Sequence, residues 1–560
     1  MSSPGPRAIC AWVHDATNVL KVLCTRLLRW SVLAVVLAVA GLVTLPGLAS
    51  AFSERPMLLP TAGSSVASAN AARPTAWLVG AQPGSVATRI ARLHAARPVG
   101  LRGVYRVPQH RARAFAADLR RRGVLAYAEP DVQLRRAAAF DSAPQEWARS
   151  TVVSPHLVAP TPGGVAIGIV DDFVDSTHPD VGAQTQYLNT GPGAVLGPHG
   201  TEVASVAAGA LNGSGVFGIF PSARLLSYGT APGAITCSDA AEGVTAAADA
   251  GAKVINLSFG SDSDCFTMFA AVQTAYGAGS LVVAAAGNEF EQGNPVIYPA
   301  AYPHVLSVAA LTRSLSASSF SSENTAVDVA APGIDVPVAT PAAFDSDGSR
   351  DGVTQVSGTS YAAPIVAGAA AWLATARPTL SNGQVADVLR RSARDLGPGG
   401  WDRSTGYGLV RMSGALLFPT PRHDPLEPND GIPFVDGTVF ARADPYIWRG
   451  FGRRRISASA DQIEDPIDVY RIRVPSRAAL KILVDPNFGD PDLIVFSGRA
   501  STTADTDEII DRSLRGPRRT DVVRLVNNSR RAQTAFVAVE AAGDILDTSY
   551  RLSVSRESRR

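Results

Sequence analysis

Val356-Ser-Gly-Thr-Ser-Tyr-Ala-Ala-Pro-Ile-Val-Ala-Gly-Ala-Ala-Ala-Trp372 sets a serine, Ser360, behind Gly358 and Thr359 and ahead of a run of small apolar residues. The run reads as a buried helix whose Ala and Gly allow close packing, with Ser360 at its start. A helix N-terminus offers unpaired N–H groups and the positive end of the dipole, which favour negative charge developing near the hydroxyl. Pro364 is assigned to the first turn, where a missing N–H costs nothing. Standing alone, such a serine is more often a cap than a nucleophile. Its reading therefore depends on the partners that the rest of the chain supplies.

Three further segments supply them. Val165-Ala-Ile-Gly-Ile-Val170 is a buried strand that runs straight into Asp171 and Asp172. Strand alternation turns these two carboxylates to opposite sides. Asp171, which abuts the strand, is chosen for the site, and Asp172 is taken as a solvated or loop-bonded neighbour. Gly197-Pro-His199-Gly-Thr-Glu-Val-Ala-Ser opens an Ala-rich helix with an imidazole at its head. The apolar run 281–285 ends in Ala286-Gly287-Asn288 and leaves an amide at a strand end. Strands at 165–170, 224–228, 254–257, 281–285 and 305–309 alternate with helices near 201–211, 239–250, 266–278 and 360–375. That pattern predicts an α/β fold, a mainly parallel sheet with helices on both faces. Sites in such sheets gather at the carboxyl ends of the strands. Carboxylate, imidazole, amide and hydroxyl at element ends are the parts of an acyl-transfer site.

The order Asp171, His199, Ser360 and the sequence around each resemble the subtilisin family of serine proteases (the subtilases). The likeness extends through His178-Pro-Asp180, Asn256-Leu-Ser-Phe-Gly260, Tyr298-Pro-Ala-Ala-Tyr-Pro303, Ser319-Phe-Ser-Ser322, Asp328-Val-Ala-Ala-Pro-Gly333 and Gly406-Tyr-Gly408, and covers residues 140–418. The resemblance implies a serine endopeptidase. Ser360 would attack the scissile carbonyl, His199 would carry the proton, Asp171 would orient the imidazole, and Asn288 would donate to the oxyanion with the Ser360 N–H. It also implies that Ser258, Phe259 and Gly260 pair with an extended substrate, while Ala285, Ala286 and Gly287 wall its first side-chain pocket. The chain departs from the family in placing Asp172 and Phe173 after Asp171, where a small residue and glycine are usual; Phe173 is expected to narrow the cleft. Glu202 stands where the family often has a second histidine, and the preferred reading turns it to water. His178, in a His-Pro-Asp turn, is read as structuring its loop.

The organisation expected around this body has four further parts. Residues 1–51 read as a secretory signal, Arg26 and Arg29 preceding an apolar run that ends in Ala49-Ser-Ala51; an uncleaved membrane anchor is the competing reading. Residues 52–138 contain strands at 75–80, 101–107 and 124–129 and helices at 85–96 and 111–122. They form a ferredoxin-like α+β unit that resembles the family's inhibitory propeptide, with Ala128-Glu-Pro-Asp131 near its end; a permanent N-terminal domain is the alternative. Residues 139–418 are the subtilisin-like domain and 419–431 a Pro-rich acidic linker. Residues 432–560 alternate in short apolar runs and predict an all-β sandwich, which resembles the pre-peptidase C-terminal domains of secreted bacterial proteases.

Composition narrows the function further. The net charge of +2 gives no reason to expect a nucleic-acid partner, and the only lysines, Lys21, Lys253 and Lys481, lie far in sequence from Ser360, against a Ser-Lys dyad. Of four cysteines, Cys237 and Cys265 fall in the body; in an exported protein they can form a disulfide, and otherwise they are two buried thiols. No cofactor is required. A structural calcium is considered in the loop 211–216 and at Asp465, Asp468, Asp490 and Asp492. The expected product is a secreted, monomeric, autoprocessed endopeptidase that acts on proteins and is restrained by its own propeptide, without a permanent membrane span. The competing readings are a catalytically inactive peptide-binding relative and a sedolisin-like carboxyl protease.

Overall fold

Alanine and valine dominate the strands of the central sheet because both faces are covered, and that double burial is what a continuous apolar run without alternation encodes. In the computed structural model the sheet has seven strands, all parallel, in the spatial order Val329–Pro332, Val305–Leu311, Leu281–Ala285, Ala252–Leu257, Ala166–Asp172, Leu225–Thr230 and Thr185–Tyr187. The structure describes residues 75–557, apart from 132, 137–146, 161–163, 191–196, 214, 222, 232, 234, 423, 425, 441–442, 463–464 and 544–546. The expected leader, residues 1–51, lies outside them. Among the described residues no helix is long and apolar enough to cross a membrane.

The Ser360 helix, Thr359–Ala376, runs buried against this sheet; its first fifteen residues, through Leu373, are all buried. Ala362, Ala363, Ala367 and Ala369 to Ala371 sit in one core with Val283, Val308 and Val329, so the small side chains set how closely helix and sheet approach. The helix begins at Thr359, which puts Pro364 in its second turn and corrects the first-turn assignment. Lacking an N–H, Pro364 cannot donate to the Ser360 carbonyl. Ser258 Oγ donates to that carbonyl instead, at 2.7 Å, and the defect in the helix ties it to the strand that lines the cleft.

The strand inventory is richer than the sequence indicated. The N-terminal unit has four antiparallel strands in the order Arg97–Pro98, Val104–Pro108, Ala76–Ala81, Leu125–Pro130, backed by the helices Ser85–Leu93 and Gln109–Arg121. The two-residue strand Arg97–Pro98 is too short to show a period. In the large sheet, the three-residue edge strand Thr185–Tyr187 is likewise too short to show one, and the opposite edge, Val329–Pro332, is a further strand beyond those the sequence indicates. The C-terminal region is a sandwich of two four-stranded antiparallel sheets, with strand orders Arg453–Asp461, Asp547–Arg556, Ala478–Phe488, Asp521–Asn527 and Ile467–Val474, Gln533–Ala541, Pro491–Ser497, Ile509–Ser513. Its core packs Ile456, Ile482, Leu525 and Leu552 of one sheet against Ile472, Leu493, Val495 and Val537 of the other.

Candidate active site

The site is assembled at the carboxyl edge of the parallel sheet. The strand Ala166–Asp172 carries both carboxylates, and Asp171 and Asp172 are each buried. Asp171 meets His199 Nδ1 through both oxygens, at 2.8 and 2.9 Å. It also accepts the Asp172 N–H at 2.7 Å. His199 heads the helix His199–Ala208, and Gly200 behind it lets the helix touch the strand: a Cβ there would lie 1.9 Å from the Asp172 carbonyl oxygen. Asp172 is 1% exposed and its carboxylate lies beside Gly197, so it is packed against the loop and not solvated. Phe173 stacks edge-on with Tyr187, ring centroids 5.8 Å apart.

Ser360 is fully buried in the second position of its helix, and its Oγ donates to the Ser258 carbonyl at 2.9 Å. The Tyr361 ring that follows lies 5.6 Å from the His199 ring. Asn288 follows the strand Leu281–Ala285 through Ala286 and Gly287, the latter at φ +107, a left-handed value that favours glycine. The Asn288 side chain is fixed by its acceptor half: Oδ1 takes hydrogen bonds from Thr359 N at 2.9 Å and Thr359 Oγ1 at 2.8 Å. Its Nδ2 is buried without a hydrogen-bond partner. A buried unpaired donor is costly in a resting protein, and it is a group ready to bind a negative charge.

Glu202 corrects an expectation. It is 6% exposed rather than solvent-facing, and Tyr361 Oη donates to its Oε2 at 2.7 Å. Burial pushes its carboxyl above the usual range, with the His199 charge and the Tyr361 bond opposing that rise. Nothing in the sequence joined residue 202 to residue 361; the pairing exists because two helices pack there. His178 behaves as read, its Nδ1 accepting from Asp180 N at 3.2 Å and its Nε2 lying 3.1 Å from the Gly352 carbonyl. In the loop 211–216, Asn212 Nδ2 and Val216 N each donate to Asp180 at 2.8 Å. Both Asp180 oxygens are thus held by loop donors.

The cleft has two rims, of which the sequence indicated one. Phe259–Gly260 is a strand, as expected, and Ile235–Thr236 is the missed partner. Between them runs Gln133–Arg136 of the same chain, antiparallel to both, with Arg136 opposite Phe259, Arg135 opposite Gly260 and Gln133 opposite Thr236. Each rim leads into a helix, Cys237–Asp249 and Phe266–Gly277, and Cys237 and Cys265 at their starts are bonded to each other, Cα atoms 6.6 Å apart. The bond spans 28 residues of separation, for which loop-closure entropy gives about 3.6 kcal/mol. Replacing both cysteines by serine is expected to lower Tm by roughly 5–10 °C in calorimetry. Reductant should bring the wild type down to the variant and leave the variant unmoved.

Residues 163–408 match the family model described as Subtilase family. Fervidolysin from Fervidobacterium pennivorans is 32% identical over 294 residues, which are 47% of this chain and 42% of that protein; the match thus spans less than half of that relative. Subtilisin Savinase from Lederbergia lenta is 35% identical over 276 residues, 48% of this chain and 97% of that protein. The crystal structure of fervidolysin, titled a keratinolytic enzyme related to subtilisin, aligns with a TM-score of 0.56 at 18% identity, over 86% of this chain and 96% of that one. At that identity the likeness speaks for the fold.

Proposed function

The chain belongs to the subtilase family of serine-type endopeptidases, and from that membership we propose that it hydrolyses peptide bonds in proteins with Ser360 as nucleophile. The observation that carries this reading is the convergence of the buried Asp171–His199 pair and the unpaired Asn288 Nδ2 on the helix start that holds Ser360. Ser360 Oγ exchanges its bond to the Ser258 carbonyl for one to His199 Nε2, loses its proton there and attacks the substrate carbonyl. Asn288 Nδ2 and the Ser360 N–H receive the oxyanion. Protonated His199, held by Asp171, gives the proton to the leaving amine, and water then hydrolyses the acyl-enzyme. A fluorophosphonate probe is expected to label the wild type and not Ser360→Ala. A correctly processed wild type that stays unlabelled would sink the reading.

The same proposal includes synthesis as an exported zymogen. In support, Gln133–Arg136 pairs with both rims as an extended peptide substrate would. Further support comes from two carboxylates just upstream. Glu129 accepts from Phe266 N at 2.8 Å, Thr267 N at 2.9 Å and Thr267 Oγ1 at 2.9 Å. Asp131 accepts from Ser238 N at 3.1 Å and Ser238 Oγ at 2.9 Å. The N-terminal unit thereby caps both helices whose starts flank the cleft, where dipole and orphan N–H groups favour an anion. Each lost cap costs about 1 kcal/mol, so a precursor carrying Glu129→Ala and Asp131→Ala should release active enzyme roughly tenfold to thirtyfold sooner, followed as the lag before peptide hydrolysis begins. An unchanged lag would remove the caps from the account.

A further inference from the structure

The slot in which a bound peptide would set its first side chain opens at the start of the Ser360 helix. One wall is the stretch Ser258-Phe259-Gly260. Ser258 Oγ donates to the Ser360 carbonyl at 2.7 Å, and the Ser258 carbonyl accepts from Ser360 Oγ at 2.9 Å. The other wall is Ala285-Ala286-Gly287, whose last N–H donates to Thr359 Oγ1 at 3.3 Å. A glycine stands in each wall, and a residue without a Cβ leaves its share of the slot open. In this chain that space is taken. A Cβ on Gly260 would lie 2.3 Å from Ile297 Cγ2, and a Cβ on Gly287 would lie 2.6 Å from Ile297 Cγ1. One isoleucine thus reaches both walls, with a different branch of its side chain on each.

Ile297 is fixed in this position by its own backbone. Its carbonyl accepts from Ala301 N at 2.9 Å. The next residue, Tyr298, exchanges two backbone bonds with Ser261, at 2.8 and 2.9 Å, in an antiparallel bridge. Ile297 therefore lies beside Gly260 because the two segments pair, and it is 3% exposed. A β-branched side chain has few χ1 choices, so it does not swing aside to admit a ligand. Glu289 Oε2 and Ser322 Oγ close on the same end of the slot, 2.6 and 2.8 Å from the Cβ position on Gly287. What remains suits a methyl or hydroxymethyl group, and a larger one forced into so packed a place strains its surroundings.

We propose that Ile297 plugs the first side-chain pocket and makes the enzyme selective for peptide bonds that follow a small residue, alanine or serine. This selectivity rests on the reading of Ser360 as a peptidase nucleophile and adds to it the class of bond that is cut. Leucine, phenylalanine or tyrosine before the scissile bond would have to displace Ile297 or spread the two glycine walls. The chain's own sequence agrees, independently of the pocket. The strand Gln133–Arg136, which pairs with the cleft rim, is followed in sequence by Ala137-Ala-Ala139 ahead of Phe140, so three residues of the size the slot accepts come directly after it.

The test uses the active enzyme on peptide anilides that share one sequence and differ only in the residue before the scissile bond. Alanine should exceed phenylalanine in kcat/KM by about a hundredfold. Cuts in an unfolded protein, mapped by mass spectrometry, should fall after Ala and Ser. Ile297→Gly should raise the ratio of Phe to Ala cleavage by about a hundredfold, and Ile297→Ala, which serves where the glycine variant does not fold, by at least about tenfold. A wild type that is labelled by fluorophosphonate yet prefers Phe or Leu, or a ratio that does not move in the folded variant, would overturn the plug and leave the protease reading standing. A wild type that is neither labelled nor cuts any of the peptides would remove both.

Discussion

Ser360→Ala is expected to lower kcat for peptide hydrolysis by about 10⁶-fold with little change in KM, the scale seen when the nucleophile of such a triad is removed. The substitution deletes one buried hydroxyl, bonded to the Ser258 carbonyl, and leaves the cleft rims and the Asn288 amide in place. Ground-state binding is therefore retained while the covalent step is lost. The same variant should accumulate as uncut precursor, because the strand Gln133–Arg136 already lies in the cleft of its own chain. Intact-mass measurement of the purified variant reads the second outcome and progress curves read the first. A variant that is still processed at its own cleft would show that another protease performs the cut. Combining it with His199→Ala should cost scarcely more than either change alone, since the two groups act on one proton transfer.

Asn288→Ala is expected to cost about 10²–10³ in kcat, again with KM nearly unchanged, which is the scale of losing the oxyanion-hole asparagine in a subtilisin, a member of the same family. The physical reason is visible in how the amide is held. Thr359 N and Oγ1 consume Oδ1, which leaves Nδ2 as the group that points without a partner into the site. Its hydrogen bond strengthens as charge develops on the carbonyl oxygen, so its loss appears in the transition state and not in substrate binding. Removing the side chain also takes away the acceptor shared by Thr359 N and Oγ1, and a fall in Tm of a few degrees should accompany the kinetic loss. If KM rises while kcat is unchanged, the amide serves binding and not the oxyanion.

What was legible in the sequence was what local pattern encodes. Apolar runs ending in Asp171 and in Asn288, and a glycine-flanked His199, are strand ends and helix starts by their own composition. A family with a fixed order of such ends then supplies the fold. Less legible were the short pieces whose existence depends on a neighbour. Arg97–Pro98 and Ile235–Thr236 are two-residue strands, too short for any period and formed only because another backbone offers hydrogen bonds.

The sequence by itself determined the chemistry available at Ser360: which groups exist, in which order, and at the ends of which elements. The tertiary structure alone decided how those groups are engaged. Pro364 sends the Ser360 carbonyl to Ser258, Tyr361 claims Glu202, and Asp131 and Glu129 find helix starts more than a hundred residues away. It also decided which acidic residues share a pocket, separating Asp465 and Asp468 from Asp490 and gathering them with Asp424 and Glu427. The physical reason is common to all of these. A side chain's type is local, but its desolvation and its hydrogen-bond partner are set by what packs against it.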